Sequence, residues 1–453
     1  MQNLITELES LQIGSAALND LYLDKLGSLL LRVYEQCPYY KEKFDAAGVD
    51  PHAFKSLEQF AAYPLFDKYE ERESQARSLK ELGHPLGMHL TCDIRSVNRI
   101  SASSGTSGTP SFQGHTKNDR RIISRNFARL AAVTELEPGD RVMMAGVMSM
   151  WVAGIPTVDA LLEFGANVIP IGGLVGTTKV IEMMALTRPE VLVCTPSFAR
   201  RIVQKASGEG LADLPALGLE KLFVYGEPGG SVPEIVAELS QGFGNASVFD
   251  MAGGTGCLNP IFASCKEQNG MHFIAPDYAY IELYDRERDL VMPFADGAEG
   301  EFVYTGLDRE CGPLIRFADG DKMRVHLDPC GCGLPGMRVS ILGRVDDMLL
   351  VKGVNVFPSA IRDLVLSFSG EVTGNVRVVK NASGPVVEPP VPVKVECKGS
   401  PTETELADLR ERIQDRLQRQ LRFRADVTLY REGDLNVEYG KTGKAKLLEV
   451  LDS

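Results

Sequence analysis

Val142-Met143-Met144-Ala145-Gly146-Val147 is a short apolar run that ends in a turn, and its recurrence decides the fold. Comparable runs follow at Asn167–Ile171, Glu190–Cys194, Leu222–Tyr225 and Ser247–Phe249. Between them lie stretches with helical spacing, such as Thr178–Leu186 and Pro233–Leu239. Buried strands alternating with crossover helices predict a mostly parallel sheet. Upstream, Leu21, Leu26, Leu29, Leu30 and Val33 recur on one helical face, so the N-terminal region reads as helical as far as a loop-rich stretch before Ser101.

Downstream the rhythm changes. From about Tyr280 the strand-like runs "YIELYD", "GEFVYTGL" and "PLIRF" crowd together, as in an antiparallel barrel or small sheet added to the first layer. After "ILGRVDD" a separate unit begins, with "NVRVVK", "VPVKVEC" and "DVTLY" as strands. Thr402 and Glu405 there form a capping box for a helix reaching about Leu421. The fold class is α/β: a large N-terminal domain over residues 1–342, β-rich from about 275, then a small α+β domain over 343–453.

With 453 residues and 44% hydrophobic content, the chain exceeds one ordinary core. A formal net charge of -13 argues against nucleic acid or an anionic membrane surface as a partner held by a general positive field. Glu7 and Glu9 stand where a secretory signal needs basic and then apolar residues, and the uncharged window Val142–Thr157 is too short for a span. Nine scattered cysteines fit a reduced, cytoplasmic protein, in which clustered cysteines point to metal.

Ser103-Ser104-Gly105-Thr106-Ser107-Gly108-Thr109-Pro110 carries the glycines and hydroxyls of an anion-binding loop, yet Thr109 occupies the place where a Walker loop has lysine. On local sequence it reads equally as a flexible loop. Asn118 or Asp119 is placed to cap the amphipathic helix marked by Ile122, Ile123, Phe127 and Leu130.

In order after this loop come "HTKND", "YGEPGG" (225–230), "DMAGGTG" (250–256), "PLIRFADGD" (313–321), "GRVDDMLLVKGVNVFP" (343–358) and "GKAK" (443–446). In order and approximate spacing the set resembles the adenylate-forming ligases, in particular the phenylacetate-CoA ligase branch, whose phosphate loop looks like "SSGTTGKP". The resemblance runs from about residue 35 to the end of the chain. It implies two steps: a carboxylic acid attacks ATP to give an acyl-adenylate and pyrophosphate, then the thiol of coenzyme A displaces AMP.

The resemblance also implies roles. Ser103, Ser104, Gly105, Thr106, Ser107 and Gly108 would hold the terminal phosphates, and Gly226, Glu227, Pro228, Asp250 and Thr255 would line the nucleotide site. Asp321 corresponds to the ribose-binding carboxylate and Arg344 to a contact on its ribose or phosphate side. Lys444 matches the catalytic lysine, and Asp346 the hinge about which the small domain swings. The acyl pocket would take Trp151, Tyr225, Ala252 and Gly253, with the two aromatics flanking a ring, although Trp151 reads equally well as core. An aryl or arylacetic acid is favoured, since no Arg or Lys in these stretches calls for a second carboxylate on the substrate. Dimers are common in this branch, so a homodimer is a further expectation.

Two departures stand out. The family's Tyr-Gly-x-Ser/Thr-Glu is here Ala252-Gly253-Gly254-Thr255-Gly256, so the aromatic for adenine and the carboxylate for Mg²⁺ are both replaced. Either Mg²⁺ is held through ATP oxygens with help from Glu227, and Tyr225 supplies the aromatic face, or the adenylation step is weakened or lost. The acceptor stays open between coenzyme A, an amine and a carrier protein.

Cys265, His272, Cys330 and Cys332 offer two thiolates and a Cys/His pair in turn-rich surroundings, a four-ligand set suited to structural Zn²⁺. Cys257 and Cys311 are substitutes for one ligand.

Overall fold

The computed structural model describes residues 2–103, 110–227, 229–254, 256, 260–345, 347–351, 354–380, 386–435 and 446–451. The predicted parallel strands form side by side in the order Asn167–Ile169, Arg141–Met144, Val191–Cys194, Lys221–Tyr225 and Ser247–Ala252. The inner positions of Val191–Cys194 and Lys221–Tyr225 are buried on both faces, as the run of Val, Leu and Phe requires, while the edge strand Asn167–Ile169 is only partly covered. Helices Pro196–Gly208 and Pro233–Gly242 pack on one face and Lys117–Thr134 on the other.

The antiparallel strands do not form a sheet of their own. Ser247–Ala252 pairs with Phe262–Ser264, and pairing continues through Met271–Phe273, Arg338–Arg344, Phe317–His326, Glu299–Gly306 and Ala279–Asp285, giving one sheet of thirteen strands among the described residues. The strand expected at "PLIRF" begins only at Phe317, because Pro313 lacks an N–H and Arg316 takes a positive φ of 50°.

Helix Ala16–Gln36 starts at Ser15, whose hydroxyl accepts from the Leu18 N–H, and buries Leu26, Leu29, Leu30 and Val33 of the predicted stripe, with Leu18 and Tyr22 in place of Leu21, which is only partly buried. Helix Lys68–Leu82 differs: its buried face is Glu71, Ser74, Gln75 and Ser78, held by hydrogen bonds and not by apolar packing. Gln75 brackets Phe112, donating to its carbonyl at 2.7 Å and accepting from its N–H at 2.9 Å. The helix is thereby fixed along strand Phe112–His115, which leads away from the glycine-rich loop.

The C-terminal part has its own core under a four-stranded sheet ordered Ala425–Tyr430, Val391–Cys397, Val372–Lys380, Leu448–Val450. The Thr402/Glu405 capping box opens helix Glu403–Leu421. Its contacts with the large part include Ser359, which donates to the Leu342 carbonyl at 2.6 Å, and Arg200 of helix Pro196–Gly208, which donates to the Thr373 carbonyl. Among the described residues no helix is long and apolar enough to cross a membrane.

Candidate active site

The carboxyl ends of the parallel strands open onto a cavity of about 470 Å³, where an α/β sheet of this kind places its ligands. Of the residues singled out above, the structure brings Ser103, Trp151, Tyr225, Gly226, Glu227, Asp250, Ala252, Gly253, Asp321 and Arg344 to its wall. Ser104, Gly105, Thr106, Ser107, Gly108, Pro228, Thr255, Asp346 and Lys444 lie outside the described residues.

The two ends of the glycine-rich loop are tied together. The Ser103 N–H donates to the Ser111 carbonyl at 2.8 Å, and the Ser111 N–H donates to the Ser103 hydroxyl at 3.0 Å. Trp151 is joined to the root of this loop, since Ala102 exchanges backbone hydrogen bonds with Met150 and Val152 on either side of it. The indole belongs to none of the buried apolar clusters and lines the cavity, so the core reading of Trp151 does not hold. The helix after the loop is capped by Thr116, with Asp119 completing a capping box three residues on, instead of by Asn118 or Asp119 itself.

On the opposite wall, Asp321 and Arg344 are cross-strand partners, and Arg344 Nη1 lies 3.0 Å from Asp321 Oδ1. A second contact runs from Arg344 to the Asp319 carbonyl at 3.2 Å, while the Asp319 carboxylate pairs with Lys68 at 2.7 Å. Asp250 is buried and accepts from the Ser231 hydroxyl at 2.8 Å; burial pushes its carboxyl up to about 7. Gly230 is required beneath it, because a Cβ there would stand 2.6 Å from Asp250 Cγ.

Tyr225 reaches from its strand end across Gly146, where a Cβ would fall 2.0 Å from the phenol oxygen. Burial raises its pKa. Glu227 accepts from the Ser197 N–H at 2.6 Å, at the first turn of helix Pro196–Gly208, so its carboxylate already serves that helix start. The glutamate position of the family motif is Gly256. Its N–H donates to the Tyr304 hydroxyl at 3.0 Å and its carbonyl accepts from the buried Arg309 guanidinium. A Cβ there would lie 2.5 Å from Leu314 Cδ1.

The cysteine–histidine set also converges. Cys265 Sγ is 3.6 Å from Cys330 Sγ, Cys332 Sγ is 3.4 Å from His272 Nε2, and all four ligand atoms lie within 4.8 Å of one another. Zn–S and Zn–N bonds of about 2.3 and 2.0 Å in a tetrahedron separate ligand atoms by roughly 3.5–3.8 Å, so the set fits zinc. Burial, assisted by Arg338, lowers His272 to about 4, which keeps the imidazole neutral as a ligand must be. Cys311 does not substitute for a member of this set: it lies under Gly114, where a Cβ would approach its sulfur to 2.3 Å. Cys257 is outside the described residues.

Comparison with known proteins agrees with this geometry. The family described as AMP-binding enzyme C-terminal domain matches residues 353–448. A phenylacetate-coenzyme A ligase of Thermus thermophilus is 30% identical over 391 residues, covering 86% of this chain and 83% of that protein. The chain belongs to the adenylate-forming enzymes, in the phenylacetate-CoA ligase-like branch. As such it is an AMP-forming CoA ligase. A 2-hydroxyisobutyryl-CoA ligase in the postadenylation state, 26% identical, superposes with a TM-score of 0.85 and covers 98% of this chain and 92% of that one. In the thioesterification state the same ligase, 28% identical, gives 0.69 with 98% and 91% covered.

Four features of this CoA ligase escape a motif reading. Lys68, Glu71, Arg72 and Asp319 all line the cavity, three of them from the first turns of the helix that opens within "FDKYEER" (66–72). Lys68 and Arg72 stand four residues apart, so one helical face carries both, and that spacing was the available signal.

Proposed function

We propose that this ligase joins an aryl or arylacetic acid to coenzyme A through an acyl-adenylate. The observation that carries the reading is the single cavity in which the Asp321–Arg344 pair, the closed root of the glycine-rich loop and the wall of Trp151, Tyr225 and Ala252 face one another. Asp321 offers carboxylate oxygen to the ribose hydroxyls, and Arg344 orients that carboxylate. The loop, entered through Ser103, receives the terminal phosphates, and Lys444 neutralises charge at the α-phosphate. The acid places a carboxylate oxygen on the α-phosphorus as the bond to pyrophosphate breaks, and the aromatic wall shields the reacting carboxylate from water. In the second step the thiolate of coenzyme A attacks the acyl carbonyl and AMP leaves with the bonding electrons.

The higher likeness to the postadenylation state of the 2-hydroxyisobutyryl-CoA ligase supports a domain arrangement suited to the acyl-adenylate, with a swing about Asp346 preceding thiol attack. Mg²⁺, when bound, supplies charge to the phosphate oxygens; Gly256 offers it no carboxylate, and Glu227 lines the same cavity. Zinc, held by Cys265, His272, Cys330 and Cys332, would be structural, tying the loop of the two cysteines to strand Met271–Phe273; none of the four lines the cavity.

An acid labelled with ¹⁸O in its carboxyl group tests the route. An acyl-adenylate leaves one ¹⁸O in the phosphate of AMP, whereas AMP free of label overturns it.

A further inference from the structure

Three cations of the described residues line the cavity, and two already have carboxylates: Lys68 pairs with Asp319 at 2.7 Å and Arg344 with Asp321 at 3.0 Å. Arg72 makes no ion pair or hydrogen bond among the described residues, and its Nε is buried with no partner. A guanidinium half withdrawn from water without an acceptor is costly, and a fork of five donors suits phosphoryl oxygens. Its neighbour does not relieve it. Glu71 is buried against Ser111 and accepts from Gln113, and burial pushes its carboxyl up to about 7.

The position decides the ligand. Glu71, Arg72 and Gln75 belong to the helix that runs along strand Phe112–His115, the segment leaving the glycine-rich loop. Arg72 therefore enters from the helix beside the root of the loop, whereas Lys68, one turn earlier, pairs with Asp319 on strand Phe317–His326, which also carries Asp321. The loop itself carries Thr109 where a Walker loop has its lysine. The cavity wall also holds six carboxyl groups, Glu71, Glu227, Asp250, Asp319, Asp321 and Asp363, so a polyphosphate entering it needs a cation not already matched.

We infer that Arg72 binds the terminal phosphates of ATP and the pyrophosphate that leaves. The inference rests on the ligase reading above. As the bond from carboxylate oxygen to α-phosphorus forms and the bond to the β-phosphate oxygen breaks, the electron pair departs with pyrophosphate, and Arg72 stabilises that charge without transferring a proton.

Titration calorimetry of ATP, inorganic pyrophosphate and AMP against the wild-type protein, Arg72→Gln and Arg72→Lys provides the test. Loss of charge-assisted hydrogen bonds predicts affinity for ATP and pyrophosphate about 10- to 100-fold weaker in Arg72→Gln, with AMP within about two-fold of wild type. Arg72→Lys, a point charge without the fork, falls between. Wild-type affinity for ATP and pyrophosphate in either variant overturns the inference, as does an equal loss for AMP, which marks general damage to the site. A wild-type protein that binds no ATP instead removes the ligase reading, and this role of Arg72 with it.

Discussion

Restoring the missing glutamate by Gly256→Glu looks like the natural repair of the "DMAGGTG" motif, but the packing predicts damage. Gly256 is held at both ends, its N–H by the Tyr304 hydroxyl and its carbonyl by Arg309, so the backbone cannot retreat from a new side chain. A Cβ meets Leu314 Cδ1 at 2.5 Å, Leu314 Cγ at 3.2 Å and the Tyr304 hydroxyl at 3.3 Å, and both neighbours are at most 1% exposed. Overpacking of one methyl in such a place costs about 1–3 kcal/mol. Gly256 does not have a left-handed φ, so Gly256→Ala isolates the steric part of this cost. Leu314→Ala alone leaves a cavity worth about 2–4 kcal/mol, which the new methyl partly fills. The double variant should therefore be more stable than the sum of the single effects by about 1–2 kcal/mol. Urea unfolding followed by fluorescence of Trp151, the chain's single tryptophan, reads the large domain directly. Gly256→Ala at wild-type stability, or strict additivity with Leu314→Ala, would refute the reasoning.

Zinc content is the next test: purified protein should carry about one equivalent, and Cys330→Ser should lose it and lower the Tm by roughly 5–10 °C. Metal-free protein with an unchanged melting point contradicts that site. Glu71 gives a pH signature, because burial raises its folded pKa to about 7 from the ordinary 4.5. The folded state then keeps a proton that the unfolded chain has released, so this group's favourable contribution is present below about pH 4 and is lost as pH rises through 7. Glu71→Gln should gain on the order of 1–3 kcal/mol relative to wild type at pH 8 and little at pH 5, by thermal melting; equal gains at both values would contradict the assignment.

Much of this architecture is legible in the sequence because its signals are local. The apolar runs from Val142 to Phe249 declare the parallel strands, and Thr402 with Glu405 declares the start of the last long helix. Cys265, His272, Cys330 and Cys332 come together because strand Met271–Phe273 pairs with Arg338–Arg344, a register no spacing rule supplies but which the ligand types anticipate. The polar face of helix Lys68–Leu82 is not legible in this way: Glu71, Ser74, Gln75 and Ser78 read as a solvated surface and are buried only because strand Phe112–His115 offers backbone and side-chain partners. For the same reason Lys68 and Arg72 of that helix enter the site unannounced. The fit of Tyr304 and Leu314 around Gly256 depends on strands distant in sequence, so a single missing glutamate could be seen but not the packing that replaces it.

AMP release measured with ATP and a panel of aryl and arylacetic acids, in the presence and absence of coenzyme A, tests the ligase activity most directly. Sustained AMP formation is expected only when acid and coenzyme A are both supplied, with an equal amount of acyl-CoA thioester. Acid-dependent pyrophosphate exchange with no thioester formed, whatever the concentration of coenzyme A, would contradict it.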